Sequence, residues 1–381
     1  MMQVEKLSNS INAKKYLREL GVDGGGIDIL ASKMKHHIIY IRNLHVGAAN
    51  ILKQDALSIG ADLAVPRGTV TAEVRHVDCI LIATDKQLQL LAKKELAQPF
   101  GLKELAHKLK KIVKIEMPHH VEIMGIINAN DDSFFSASRF KDAQALQAIE
   151  QMIEDGADSI DIGGVSSRPN ALKVSVDDEL QRVKPILDAI KKEKLYEKVK
   201  FSIDSYEPEV ISLALESGFT IVNDITGLEN DEVCKLCASY SATAVIMHMQ
   251  GTPQTMQKNP HYENILSDVY TFLEQRILKA ESFGVEDIIV DVGIGFGKSL
   301  EDNLALIHHL EGFLTLDKKI LVGASRKSMI DKIIPSSVQE RLAGTLALHL
   351  EAANNGASIL RVHDVKEHKQ ALKVRDAIKS L

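Results

Sequence analysis

Residues 199–227 read VKFSIDSYEPEVISLALESGFTIVNDITG. A short apolar run (199–203) stops at Asp204, a stretch with helical spacing follows over 208–216, and a second apolar run (219–222) stops at Asn223-Asp224. Short, predominantly apolar runs joined by amphipathic segments are expected of buried parallel strands with crossover helices. The same unit recurs on both sides. The run 123–127 stops at Asn128, 159–162 at Gly163-Gly164, 242–247 at His248 and 288–290 at Asp291. The run 319–322 leads into Gly-Ala-Ser-Arg-Lys (323–327), and 358–360 into Arg361-Val362-His363-Asp364. Eight such runs predict an α/β fold, a (β/α)8 TIM barrel whose strand C-termini carry the active site. Helices are expected over 143–155, 176–191, 208–216, 231–238, 265–283, 302–310, 338–354 and 367–381.

With 381 residues the chain is long enough for a barrel plus an appendage. Hydrophobic residues make up 45%, enough for a large core, while aromatics are 4% with no Trp. Ile, Leu, Val and Ala therefore have to fill that core, as they do in barrel interiors. A net charge of −6 argues against a general nucleic-acid surface. The opening Met-Met-Gln-Val-Glu-Lys lacks a signal-peptide pattern. No apolar stretch approaches the roughly 18 residues needed to span a bilayer. Cys79, Cys234 and Cys237 make an odd count with no disulfide framework. Cys234 and Cys237 form a Cys-x-x-Cys, but on an expected helix with no second ligand pair, so they read as small buried residues. A reduced, cytoplasmic protein with no nucleic-acid or membrane partner is expected.

Residues 1–115 read as a separate small α/β extension, and 116–381 as the barrel. Strands are expected in the extension at 37–41, 62–65 and 77–83, with helices at 48–59, 86–96 and 102–112. Gly24-Gly25-Gly26 follows no strand, which excludes a phosphate loop and leaves a flexible turn. Lys108, Lys110, Lys111 and Lys114 read as a solvated helix face. No catalytic motif is legible in the extension, and its role stays open. His119-His120 opens the barrel proper.

Three groups at the run ends carry chemistry. Asp204, Asn223 and Asp291 offer carboxylate and amide groups, which when buried need a hydrogen-bond donor such as the edge of an amino-pyrimidinone. Each would equally serve as the cap of the helix after its strand. Lys327, with Arg326, follows the seventh run, and Arg361 with His363 follows the eighth, the corner where barrels commonly bind phosphate. Arg361 and His363 are two apart, so on a regular strand they face the same way. Asn128 is a neutral oxygen ligand suited to Mg²⁺ beside a diphosphate.

These residues sit within eight ordered motifs that resemble dihydropteroate synthase, of the pterin-binding barrel superfamily, across 121–381. The motifs are Met-Gly-Ile-Ile-Asn (124–128) with Asp-Ser-Phe (132–134), Gly-Ala-Asp-Ser-Ile-Asp-Ile-Gly-Gly (156–164) with Ser-Ser-Arg-Pro (166–169), and Ser-Ile-Asp-Ser-Tyr (202–206). Val-Asn-Asp-Ile-Thr-Gly (222–227), Met-His-Met-Gln-Gly-Thr-Pro (247–253) and Asp-Val-Gly-Ile-Gly-Phe-Gly-Lys (291–298) follow. Gly-Ala-Ser-Arg-Lys-Ser (323–328) and Arg-Val-His-Asp-Val (361–365) complete the set. The resemblance implies condensation of a dihydropterin methyl diphosphate with 4-aminobenzoate and release of diphosphate, in tetrahydrofolate biosynthesis. It implies that Asp204, Asn223, Asp291 and Lys327 hold the pterin against Met247. Asn128, through Mg²⁺, Arg361 and His363 would hold the diphosphate. Phe134, Arg168, Pro169 and Ser328 would form the 4-aminobenzoate pocket. Lys327, Asp204 and Arg361 are the implied catalytic set, and a homodimer is the implied assembly.

The first loop departs from the family's Asn-Val-Thr-Pro-Asp-Ser-Phe-Ser-Asp pattern. Asn130-Asp131 replaces Thr-Pro, and Ser136 stands where a second aspartate is expected. Val165 replaces a Glu before Ser-Ser-Arg-Pro, and Val292 a Pro after Asp291. Two alternatives share the pterin pocket: a binding-only paralogue, and a methyltetrahydrofolate:corrinoid methyltransferase. The Ser-Ser-Arg-Pro loop and the Ser-Arg-Lys-Ser corner have no use in the latter.

Overall fold

The computed structural model describes residues 2–7, 11–129, 141–166 and 174–379. It divides into two compact units, Met1–Glu116 and Met117–Leu381. Among the described residues, no helix is long and apolar enough to cross a membrane.

In the first unit a three-stranded antiparallel sheet runs β1 (His36–His45), β3 (His76–Thr84), β2 (Asp62–Ala64) in spatial order. Along β3 alternate residues Val77, Cys79, Leu81 and Ala83 are buried, the period-two pattern of a sheet with one covered face. Leu52 of α3 (Val46–Ser58), Leu88 and Leu91 of α4 (Asp85–Glu95) and Leu102 and Leu109 of α5 (Leu102–Lys114) complete that core. Lys108, Lys110, Lys111 and Lys114 are exposed on α5, the solvated face the sequence suggests. Two helices precede the sheet, α1 (Ala13–Glu19) and α2 (Gly24–Met34). Gly24-Gly25-Gly26 is thus not a turn but the first turn of α2. Asp23 caps it, accepting from the Gly25 N–H at 2.9 Å, and the buried Ile27 fixes its inner face.

The second unit is a closed barrel of parallel strands in the order β10-β11-β4-β5-β6-β7-β8-β9. Its strands are β4 (Glu122–Asn128), β5 (Ser159–Gly163), β6 (Lys200–Asp204), β7 (Ile221–Asp224), β8 (Thr243–Met247), β9 (Ile288–Asp291), β10 (Lys319–Val322) and β11 (Ile359–Val362). Each of the apolar runs became a strand. The helices are α6 (Lys141–Glu154), α7 (Val176–Lys192), α8 (Pro208–Glu216), α9 (Asp231–Ser239), α10 (Ile265–Ser282), α11 (Leu300–His308), α12 (Ser328–Ile333), α13 (Leu342–Asn354) and α14 (Val365–Lys379). Helix α11 starts ahead of the expected position because Ser299 and Asp302 cap each other's backbone N–H groups. The expected 338–354 helix is a 3₁₀ turn, Val338–Arg341, followed by α13. The short α12 lies outside the stretches with helical spacing. Cys234 and Cys237 are buried in α9 and unpaired, and burial pushes both thiols up, Cys237 to about 12.

Candidate active site

The barrel has two apolar zones. The larger fills the space between strands and helices, with Phe201, Val222, Ile246 and Val290 on its strand side. The smaller lies within the barrel, where Met124, Ile221, Val245, Ile289, Leu321 and Ile359 meet. Strand side chains repeat every two residues, so the next residue on the same side of each strand stands one layer nearer the C-terminal mouth. On β7, β8, β9 and β11 those residues are Asn223, Met247, Asp291 and Arg361. The register sets Gly163 beside Asp204, Asp204 beside Asn223, and Met247 beside Asp291. An apolar plug therefore closes the barrel beneath one polar layer.

The polar strand ends are not helix caps. The N-caps of α8, α9 and α11 are Glu207, Asn230 and Ser299. Asp224 has a local role instead: it accepts from Thr226 N at 2.6 Å, Thr226 Oγ1 at 2.7 Å and Leu228 N at 3.1 Å, tying the turn after β7.

At the centre, Arg361 joins two carboxylates. Its Nε donates to Asp161 Oδ2 at 2.6 Å and its terminal nitrogen to Asp204 Oδ2 at 2.7 Å. Asn223 Nδ2 also donates to Asp161 Oδ2, at 3.1 Å. Burial works against the Arg361 charge, but Asp161 and Asp204 more than offset it, so its pKa rises above the ordinary value. Burial likewise raises Asp204, with Arg361 pulling the other way and Asp161 adding to the rise. Asp161 is fully buried, and its Oδ1 has no hydrogen-bond partner among the described residues. In the sequence Asp161 stands inside the 156–164 motif without a role of its own. A carboxylate in the middle of an otherwise apolar run was the available signal, because such a group needs a paired cation.

Across the mouth, Asp291 accepts from the Gly293 N–H at 2.7 Å, and burial raises its pKa, opposed by Lys327. The Lys327 amine donates to the Ile294 carbonyl and lies 4.4 Å from the Phe296 ring centroid. Burial lowers it to about 8 against the pull of Asp291. Lys298, fully buried, donates to His248 Nδ1 at 2.9 Å, the His248 carbonyl at 3.2 Å and the Phe296 carbonyl at 2.9 Å. It thereby stitches the loops after β8 and β9 together behind Met247 and Asp291.

At the β10/β11 corner, Ser325 Oγ and His363 Nδ1 are 2.9 Å apart. Arg326 grips Asp364 through Nε at 2.9 Å and a terminal nitrogen at 2.6 Å, and also donates to the carbonyls of Val338 and Gln339. Arg326, grouped with Lys327 as a cation from sequence, is thus a brace for the corner. Asn128 ends β4, half-buried, opposite Gly163.

Residues 124–363 match the family described as pterin binding enzyme. Along 97% of its length the chain is 43% identical to the bifunctional dihydropteroate synthase/dihydropteroate reductase of Helicobacter pylori, and it covers 98% of that protein. This chain belongs to the dihydropteroate synthase family, transferases of folate biosynthesis. The dihydropteroate synthase of Escherichia coli is 40% identical over 261 residues, 68% of this chain and 92% of that protein. Among solved structures, the Xanthomonas albilineans dihydropteroate synthase with 4-aminobenzoic acid superposes with a TM-score of 0.64 at 35% identity, covering 69% of this chain and 94% of that one.

Of the residues named from sequence, Asp204, Asn223, Met247, Asp291 and Arg361 stand at strand ends around one barrel mouth, and Lys327 lies past β10 as the N-cap of α12. Ser328 opens the short α12 and is exposed, and His363 lies just past β11. Phe134, Arg168 and Pro169, with Asn130, Asp131, Asp132 and Ser136 of the divergent loop, lie outside the described residues. Val292 packs in the sheet–helix core and Val165 is half-buried.

Proposed function

We propose that this barrel mouth joins (7,8-dihydropterin-6-yl)methyl diphosphate to 4-aminobenzoate, releasing diphosphate, with the work divided by strand. Asp204, Asn223 and Asp291 hold the pterin edge, Met247 walls the ring, and Lys327 binds beside Asp291. Arg361, His363 and Asn128 hold the diphosphate. Phe134, Arg168, Pro169 and Ser328 hold 4-aminobenzoate. The observation that carries this reading is the single polar layer above the apolar plug, with carboxylates across the mouth and cations on β11 and after β10.

The chemistry follows from charge. Diphosphate departs carrying negative charge, so cations placed beforehand stabilise it most as the bond breaks. The carbon left behind gains positive character, which the buried carboxylates Asp204 and Asp291 favour. The neutral aryl amine then bonds to that carbon and loses a proton. Arg361, shared between Asp161 and Asp204, links the two halves: its charge can reach the diphosphate while the carboxylates keep it oriented. Mg²⁺ fits the donor set, because it takes one or two protein oxygens and completes its shell with phosphate and water. Asn128 would supply that oxygen, and when bound the ion would neutralise charge on the diphosphate. A homodimer and a cytoplasmic location belong to the same reading, the latter supported by three unpaired, buried cysteines.

The test is diphosphate release by the purified chain with both substrates and Mg²⁺. Release that requires 4-aminobenzoate is expected. Pterin diphosphate binding without turnover would leave only the binding-only alternative, and methyl transfer to a corrinoid would select the other. The elution mass of the chain on a light-scattering column checks the dimer.

A second reading has one specific support. The Helicobacter pylori relative, matched along nearly the whole chain, carries dihydropteroate reductase in its name, while the Escherichia coli synthase matches only about two-thirds. Reduction of dihydropteroate by a hydride donor would then be a further activity of this chain. Incubation with dihydropteroate and reduced flavin or reduced nicotinamide should yield the tetrahydro product; donor oxidation that does not depend on dihydropteroate rejects it.

A further inference from the structure

Two histidines that the proposed chemistry does not use lie behind the β10/β11 corner. His349 on α13 and His368 on α14 are both buried, and His349 Nδ1 is 2.8 Å from His368 Nε2. Their other ring nitrogens are engaged as well. The Ala324 backbone N–H donates to His349 Nε2 at 2.9 Å, and His368 Nδ1 is 2.6 Å from the Asp364 carbonyl oxygen.

The end groups dictate the tautomers. A backbone N–H only donates, so His349 Nε2 accepts and the ring proton sits on Nδ1. That proton points at His368 Nε2, which must accept, so His368 carries its proton on Nδ1 and gives it to the Asp364 carbonyl. A one-way chain of hydrogen bonds thus runs from the loop after β10 to the loop after β11 through two neutral rings. A second proton on either ring would set two donors against each other at one of these contacts. Burial already holds both rings below their ordinary pKa.

The two ends of this hydrogen-bond chain fall in the two loops of the corner, one carrying Ser325, the partner of His363, and the other carrying the diphosphate ligands Arg361 and His363. Ala324 precedes Ser325, Arg326 and Lys327, and Asp364 follows Arg361 and His363. Two further links, Ser325 to His363 and Arg326 to Asp364, join one loop directly to the other. The histidine link instead reaches both loops from α13 and α14, helices held by the barrel core through Ala352, Ala353, Val365 and Leu372. Support from rigid elements sets loop spacing more closely than loop-to-loop contacts alone.

We propose that His349 and His368 are positioning residues for the diphosphate corner, a neutral imidazole pair that sets the separation of the β10 and β11 loops. The inference rests on the reading of Arg361 and His363 as diphosphate ligands. Neither histidine touches substrate. Their loss therefore falls mainly on diphosphate affinity: of the pterin residues only Lys327 follows β10, while Asp204, Asn223 and Asp291 sit on β6, β7 and β9.

The full chain is titrated by calorimetry with inorganic diphosphate plus Mg²⁺, and separately with a dihydropterin lacking the diphosphate. Wild type is compared with His349→Gln, His349→Leu and His368→Leu. Glutamine keeps one acceptor and one donor; leucine keeps neither. The leucine variants should weaken diphosphate binding about tenfold, the scale of one lost positioning hydrogen bond, and raise KM for the pterin diphosphate. Dihydropterin affinity should hold, and His349→Gln should restore most of the loss. Wild-type diphosphate affinity in both leucine variants overturns the proposal, as does an equal loss for both ligands. A wild-type chain that binds pterin but no diphosphate removes the corner reading and this inference with it. If the leucine variants do not fold, nitrogen-15 spectra of the histidine-labelled wild type still decide: an Nε2–H tautomer or a charged ring at neutral pH, in either histidine, overturns it.

Discussion

Lys327 shows how burial tunes a single group at this mouth. An exposed lysine keeps its charge to high pH, but this ammonium is desolvated and titrates near 8, with Asp291 opposing the shift. Affinity for the pterin diphosphate should therefore fall as pH rises through about 8, which a binding titration across pH 7 to 9 would show. The unfolded chain holds that proton longer, so in the window above 8 this group makes folding stability rise with pH. Lys327→Ala should lower turnover by about 10²–10³-fold while the circular dichroism spectrum is kept; near-normal turnover removes Lys327 from the site. Asp204, Asn223 and Asp291 were legible as site residues because each ends an apolar run. Asp161 was not, since its role depends on Arg361, which arrives from 200 residues away in the chain.

At the scale of elements, the turn after β9 is held by backbone sterics. Gly293 has φ +69, and a Cβ there would lie 1.8 Å from the His248 carbonyl oxygen, which Lys298 already binds. Gly293→Ala must push the β8 and β9 loops apart, so it should raise the KM for pterin diphosphate far more than it lowers the melting temperature. Steady-state kinetics and a thermal melt on the same preparation check this. In the first unit, Glu95 on α4 is buried, and burial, with Asp55 beside it, raises its carboxyl to about 7. The folded state then binds this proton where the unfolded state has lost it. Its stabilising effect is present below the ordinary value of 4.5 and disappears as pH rises through about 7. Glu95→Gln should flatten the fall in melting temperature between pH 5 and 8 that the wild type shows. Capping chemistry also sets element limits here: Asp23 turns three glycines into a helix start, and the Ser299–Asp302 pair moves the start of α11.

For the whole molecule, the two units have separate cores, one around Leu52, Leu81 and Leu91 and one around the barrel. A chain beginning at Met117 should therefore stay folded and keep synthase turnover, as a coupled assay of diphosphate release would measure; loss of turnover in a folded truncation would assign the first unit a part in the reaction. If reductase activity is found in the full chain, the same truncation shows which unit it needs. The amino-acid sequence by itself determined the barrel, its strand ends and most of the residues at its mouth. Those features are local: an apolar run of strand length, a helical period, and a polar residue where the run stops. Only the tertiary structure decided which charges are spent and which are available. Arg326 is taken by Asp364, and Arg361 is shared between Asp161 and Asp204. His349 and His368 meet only because α13 and α14 pack side by side. Pairings of this kind join strands and helices far apart in the chain, and no local pattern encodes them, because the energy of a buried polar group depends on its partner and not on its neighbours in sequence.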